Sequence, residues 1–249
     1  PEAIWQTVLS TLVDLRNNAP SAYAAIDTIG ITNQRETTVL WDRATGKALH
    51  NAIVWQCRRT AAHCEALKEA GLADEFKART GLVLDAYFSG TKVAWLLDHI
   101  PDGRRRAEAG ELAFGTIDSW LIHRLSGGKA HATDTTNASR TLLANIETGT
   151  WDPWCCKQLG VPEQVLPEVM DSDAFFAVTR GVEGLPDGIP INGVLGDQQA
   201  ALFGQACFSP GAAKCTFGTG AFLLANCGDS PVFSSHGLLE HERFLRLRN

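Results

Sequence analysis

No apolar run in this sequence approaches the roughly 20 residues that a membrane-spanning helix needs. The opening Pro1-Glu2-Ala3-Ile4-Trp5 has neither the basic nor the apolar region of a secretory signal. The sequence therefore reads as that of a soluble, cytoplasmic protein. Positive charge is in deficit: 22 Lys and Arg stand against 28 Asp and Glu, a formal net charge of -6. Non-specific binding to a phosphate backbone would work against the protein's own field, which excludes nucleic acid as the expected partner. The seven cysteines, at 57, 64, 155, 156, 207, 215 and 227, contain no C-x-x-C spacing. An odd number at irregular intervals reads as reduced thiols rather than a disulfide framework or a zinc site. The adjacent Cys155 and Cys156 bridge poorly as neighbours, and a buried structural role is the expectation for them. Methionine is nearly absent. With Met170 alone, the chain either lost its initiator or begins within a longer protein. Phosphate fingerprints are missing as well: no G-x-x-x-x-G-K-[ST] and no G-x-G-x-x-G occurs, so a P-loop or dinucleotide enzyme has no support. Neither H-E-x-x-H nor G-x-S-x-G is found.

What is present is ample material for a packed core, with 45% hydrophobic and 20% charged residues over 249 positions. Ile4, Val8, Leu12 and Leu15 recur at helical spacing, predicting an amphipathic helix over 2–17 that stops near Pro20. Strands are predicted over 25–32, 37–42 and 53–55, with the charged loop Asn33-Gln34-Arg35-Glu36 between the first two. Helices follow over 57–70, 72–78, 90–99 and 117–125, while 141–188 reads as short helices and loops. An apolar strand over 189–195, the turn Gly196-Asp197-Gln198-Gln199 and a helix to about 208 form a strand–turn–helix unit of α/β type. Two further strands, 213–217 and 221–226, flank Gly218-Thr219-Gly220.

Three places carry candidate chemistry. Arg35 and Glu36 sit at the loop end of a strand, where α/β proteins place ligand crevices. A hydroxyl both donates and accepts, so an adjacent guanidinium and carboxylate satisfy both halves of a small polyol; the competing reading is a solvated turn. Asp197 reads either as a helix N-cap or as a carboxylate aimed into a crevice to orient or deprotonate a hydroxyl. Gly218, Thr219 and Gly220 would let backbone amides approach phosphate oxygens, or would simply close a hairpin. Trp55, Tyr87 and Phe222 are core aromatics by default, Tyr87 being the exception most to be expected because its hydroxyl needs a partner.

Six stretches in order resemble the glycerol kinase branch of the FGGY carbohydrate kinase family. They are Gly30-Ile-Thr-Asn-Gln-Arg-Glu-Thr-Thr38, Asn51-Ala-Ile-Val-Trp-Gln-Cys-Arg-Arg-Thr60, Tyr87-Phe-Ser-Gly-Thr-Lys-Val-Ala-Trp-Leu-Leu-Asp-His99, Asp134-Thr-Thr-Asn-Ala-Ser-Arg-Thr141, Gly196-Asp-Gln-Gln-Ala-Ala-Leu-Phe-Gly-Gln205 and Phe217-Gly-Thr-Gly220. The resemblance implies an α/β, actin-like ATPase (ribonuclease H-like) fold. Residues 1–205 would be the glycerol-binding domain without its first strands, and 206–249 the start of a nucleotide-binding domain. It implies phosphate transfer from ATP, with Mg²⁺, to a terminal hydroxyl of glycerol, giving sn-glycerol 3-phosphate and ADP. Arg35, Glu36, Tyr87, Asp197 and Gln198 would hold the hydroxyls, and Trp55 and Phe222 would wall the carbon skeleton. Asp197 would be the base, and Gly218, Thr219 and Gly220 would face the nucleotide. By the same resemblance the chain lacks the family's first phosphate turn, enters the second domain only briefly and diverges from about Glu240. A fragment without turnover is therefore expected, and homo-oligomerisation is left open. The alternatives are a kinase for another polyol or sugar and a non-catalytic glycerol-binding fragment.

Overall fold

A computed structural model describes residues 1–218 and 221–228. The first helix, Glu2–Asn18, carries Glu2 in its first turn and Arg16 in its last, each complementing the helix dipole. Its inward seam is Trp5, Val8, Leu9 and Leu12, with Trp5 the most deeply buried. Leu15, expected to face inward, lies 37% exposed at the rim. Pro20 then opens a short helix, Pro20–Ala24, using the first-turn position that needs no N–H. The first strand consequently begins at Ile29 rather than at Ala25.

That strand, Ile29–Asn33, pairs in parallel with Pro190–Gly196, whose other edge pairs antiparallel with Ala177–Val178. Ile31, Ile191 and Val194 face the first helix and the helix Ile117–Leu125, where Ile122 and Leu125 complete the layer. A second sheet joins Val39–Asp42 to Leu112–Gly115. The strand expected over 53–55 is a single bridge, Thr38 to Ile53, because the chain turns immediately into the Trp55 segment. The largest core surrounds the helix Ser89–His99, whose Val93, Leu96 and Leu97 pack with Phe76, Phe88, Phe114 and Leu142. Fully burying side chains of this size is worth about 1.5–3 kcal/mol each.

The segment 141–188 is built from short pieces, among them the helix Pro153–Leu159 capped by Asp152. Cys155 and Cys156 lie inside it, buried, with burial pushing both thiols up, and all seven cysteines are free. The strand Ala132–Asp134, which periodicity does not reveal, pairs in parallel with Glu168–Met170 and leads into the helical turn Thr135–Ala138. The helix Asp197–Gly204 stops short of 208, and the strands Ala213–Phe217 and Ala221–Ala225 pair antiparallel with Phe217 opposite Ala221. Thr219, Gly220 and the charged stretch from Glu240 lie outside the described residues. Among the described residues no helix is long and apolar enough to cross a membrane.

Candidate active site

In the register of the central parallel pair, Asn33 stands opposite Gly196. Two chain segments therefore leave the sheet side by side at its carboxyl end, Gln34-Arg35-Glu36 from one strand and Asp197-Gln198 from the other. This is the crevice position of parallel α/β sheets. Both strand ends are braced from below. Asn33 Nδ2 donates to Asn137 Oδ1 at 2.9 Å and to Asp118 Oδ1 at 3.3 Å, and the Gly196 N–H donates to Thr136 Oγ1 at 2.8 Å. Thr136 Oγ1 in turn donates to Asp134 Oδ2 at 2.6 Å, and Thr133 Oγ1 donates to Asp118 Oδ2 at 2.6 Å. Burial, with the Asp134 charge nearby, pushes the Asp118 carboxyl up to about 7.

The solvated-turn reading of Arg35 and Glu36 does not hold, since each is only 2% exposed. Arg35 Nη1 donates to Gln199 Oε1 at 3.1 Å, Nη2 lies 3.7 Å from Glu36 Oε1, and Nε lies 3.3 Å from Asp197 Oδ1. Its aliphatic stem rests on Gly196, where a Cβ would overlap Cγ and Cδ of Arg35 and press on Gln199 Oε1. Gly196→Ala is thus expected to displace Arg35 and raise the substrate KM about tenfold or more, the cost of about one lost charge-assisted hydrogen bond. An unchanged KM in steady-state kinetics of the full-length gene product would show that Arg35 is not held by this contact.

The N-cap reading of Asp197 is likewise corrected. Gly196 is the cap residue and Asp197 the first helical one, so its carboxylate accepts the Gln198 N–H at 2.8 Å and faces Arg35 instead of closing the helix end. With a side chain 45% exposed, it is the open acid of the pair, whereas Glu36 is enclosed. Glu36 Oε1 accepts from Arg140 Nε at 2.7 Å, and the Arg140 guanidinium lies over the Phe88 ring at 4.8 Å. Lys92, fully buried, donates to the main-chain carbonyls of Glu36 and Tyr87, each at 2.7 Å, and so ties two site segments together. Burial pushes its ammonium down to about 8. Burial, aided by the Glu36 charge, pushes the Tyr87 phenol up to about 12, keeping it a neutral hydroxyl.

These groups surround one cavity of about 120 Å³, lined by Gln34, Arg35, Glu36, Trp55, Tyr87, Asp197, Gln198 and Phe222. It is far smaller than the roughly 300–1,000 Å³ that drug-sized ligands occupy. The structure brings together all seven residues expected to bind substrate. Trp55 and Tyr87 meet edge to face at 5.8 Å, and Trp55 and Phe222 supply apolar wall where core packing was the default. Gly218 follows the strand Ala213–Phe217 and does not line this cavity. Thr219 and Gly220 are outside the described residues. Sequence reasoning missed Gln34 in the lining and Lys92, Arg140, Gln199 and Lys214 behind it. All but Lys214 lie inside the stretches that carry the family resemblance. Chemically the cavity offers two carboxylates as acceptors, a guanidinium as donor and a phenol as either, which suits a small uncharged molecule rich in hydroxyls.

Residues 1–204 match the FGGY family of carbohydrate kinases, N-terminal domain. A glycerol kinase of Alkalilimnicola ehrlichii is 56% identical over 239 residues, covering 96% of this chain and 48% of that protein. A glycerol kinase of a Bradyrhizobium species is 58% identical over 240 residues, with the same two shares. The crystal structure of Plasmodium falciparum glycerol kinase with ADP superposes with a TM-score of 0.82 at 42% identity, covering 86% of this chain and 42% of that one. A xylulose kinase of Rhodospirillum rubrum shares the fold, with a TM-score of 0.77 at 20% identity over 88% of this chain and 44% of that one. The chain thus spans about half the length of the curated relatives it matches.

Proposed function

The chain belongs to the FGGY family of carbohydrate kinases, with the actin-like ATPase fold of their N-terminal domain, and from that premise we propose that it supplies the polyol side of a cytoplasmic glycerol kinase. The carrying observation is the convergence of Arg35, Glu36, Tyr87, Asp197 and Gln198 on one small polar cavity with two aromatic walls. In this reading Asp197 accepts the proton of a terminal hydroxyl as its oxygen bonds to the γ-phosphorus of ATP. The bond from that phosphorus to the bridging oxygen breaks, and ADP leaves with the electron pair. Phosphoryl transfer asks the protein mainly for alignment and charge stabilisation, and the buried Arg35 is a fixed cation 3.3 Å from Asp197 Oδ1. Residues 206–249 are read as the start of the nucleotide-binding domain. Mg²⁺ bound with the nucleotide would supply charge neutralisation at the phosphates.

The test is a coupled ADP-release assay of the full-length gene product with glycerol, xylulose and gluconate. Preference for glycerol by kcat/KM supports the reading, and preference for a pentulose or an acid sugar replaces it with another branch of the family. Within the same assay Arg35→Ala is expected to raise the glycerol KM more than it lowers kcat, since it removes donors to ground-state hydroxyls as well as to the transition state. Equal KM values in variant and parent would remove Arg35 from the binding set.

A further inference from the structure

Gln198 carries an amide whose oxygen and nitrogen ends exchange places by a simple flip, so what it offers a ligand depends on its other neighbour. That neighbour is Lys214, on the strand Ala213–Phe217, 2% exposed. Its Nζ donates to Gln198 Oε1 and, at 2.7 Å, to Thr216 Oγ1. An ammonium has donors only, and a flipped amide would set N–H against N–H in a buried place. The oxygen of Gln198 is therefore held at Lys214, and its amide nitrogen, which has no hydrogen bond among the described residues, is the end of this lining residue left to donate. The other two glutamines of the site are committed differently. Gln34 Nε2 donates to Thr37 Oγ1 at 2.8 Å, and Gln199 Oε1 accepts from Arg35.

We propose that Lys214 is a positioning residue that sets specificity: it fixes the orientation of the Gln198 amide with its N–H₂ as the free end, so the ligand that suits that wall brings an acceptor oxygen. The proposal rests on the polyol-kinase reading above. Hydroxyl and carbonyl oxygens meet the requirement, whereas an ammonium in the same place meets another donor. A hydroxyl that accepts from Gln198 keeps its own proton for an acceptor, and Glu36 and Asp197 are the carboxylates in the lining. Lys214 thus selects glycerol over its amino analogue by acting through Gln198, not by touching the ligand.

The experiment is a double-mutant cycle in the full-length gene product with Lys214→Met, Gln198→Leu and the pair, reading KM and kcat for glycerol and for 3-amino-1,2-propanediol. Each single substitution is expected to raise the glycerol KM about tenfold, and the pair to exceed Gln198→Leu by no more than about twofold, because groups acting through one contact are not additive. Lys214→Met is also expected to narrow the preference for glycerol over the amine, a readout that mere loss of packing would not move. Gln198→Glu keeps a partner for Lys214 and hence the fold, yet offers no N–H, and its glycerol KM should rise to match. Additive penalties, an unchanged preference in Lys214→Met, or a parental KM in Gln198→Glu would each overturn the assignment. Should the parent ignore glycerol, the polyol reading itself fails, and the same cycle is read on the family substrate it does phosphorylate, where coupling between the two residues still decides the role of Lys214.

Discussion

Asp197→Asn in the full-length gene product is expected to lower kcat by about a hundredfold to ten-thousandfold while moving the glycerol KM far less. The amide keeps the shape of the side chain. Its oxygen can still accept the Gln198 N–H and face Arg35 Nε, the two contacts that place the carboxylate at the sheet's carboxyl end. What it cannot do is take a proton from an attacking hydroxyl. The effect should therefore fall on the chemical step, visible in a rapid-quench measurement of the first turnover as well as in steady state. Parental kcat in the variant would move the base elsewhere, and Glu36, gripped by Arg35 and Arg140, would be the next residue to test.

The second large effect is on stability. Glu36→Ala is expected to cost about 3–5 kcal/mol, the range for removing one partner of a buried ion pair. The carboxylate stands between two guanidiniums that are almost fully buried, with Arg140 Nε at 2.7 Å and Arg35 Nη2 at 3.7 Å. The two cations repel each other, and burial already pushes the Arg140 guanidinium down. Alanine would remove the charge that screens that repulsion and leave a gap beside Tyr87. Glu36→Gln, which retains an acceptor for Arg140, should lose less. Urea unfolding of parent and both variants gives the comparison. A loss under about 1 kcal/mol in Glu36→Ala would mean that other groups or water compensate the guanidiniums.

The elements that sequence alone revealed are those whose apolar residues repeat on their own. The helix Glu2–Asn18 has its i, i+3, i+4, i+7 seam, and Pro190–Gly196 has a short apolar run followed by a turn. The strand Ala132–Asp134 and the turn after it stayed invisible because they are buried by polar contacts: Asp134 accepts from Thr136, Asn137 and Ser172, a satisfied network with no hydrophobic period. The site divided in the same way. Arg35, Glu36 and Asp197 stood out as charges at strand ends, and family likeness added the aromatics. The buried cations Lys92, Arg140 and Lys214 did not stand out, because in a linear sequence a lysine under a cavity looks like a lysine on the surface. Their partners, Glu36 and Gln198, lie far along the chain or on another element. Asp197 shows the limit of local rules: strand–Gly–Asp–helix suggests a cap, yet the adjacent glycine takes that position and the Arg35 guanidinium draws the carboxylate aside.

The parallel pairing of Ile29–Asn33 with Pro190–Gly196 also sets a timetable for synthesis. Asn33 meets Gly196, so the first strand leaves the ribosome long before its partner exists. At about 5–20 residues per second that wait is on the order of ten to thirty seconds. Throughout it Ile31 and the Trp5 face of the first helix lack the Ile191 and Val194 surface they finally cover, and Arg35 has neither Gly196 beneath its stem nor Asp197 beside its Nε. Contacts so distant in sequence form late and slowly. A ligand of the cavity between the two strand ends can therefore stabilise only the finished protein, since that cavity does not exist until both strand ends have met.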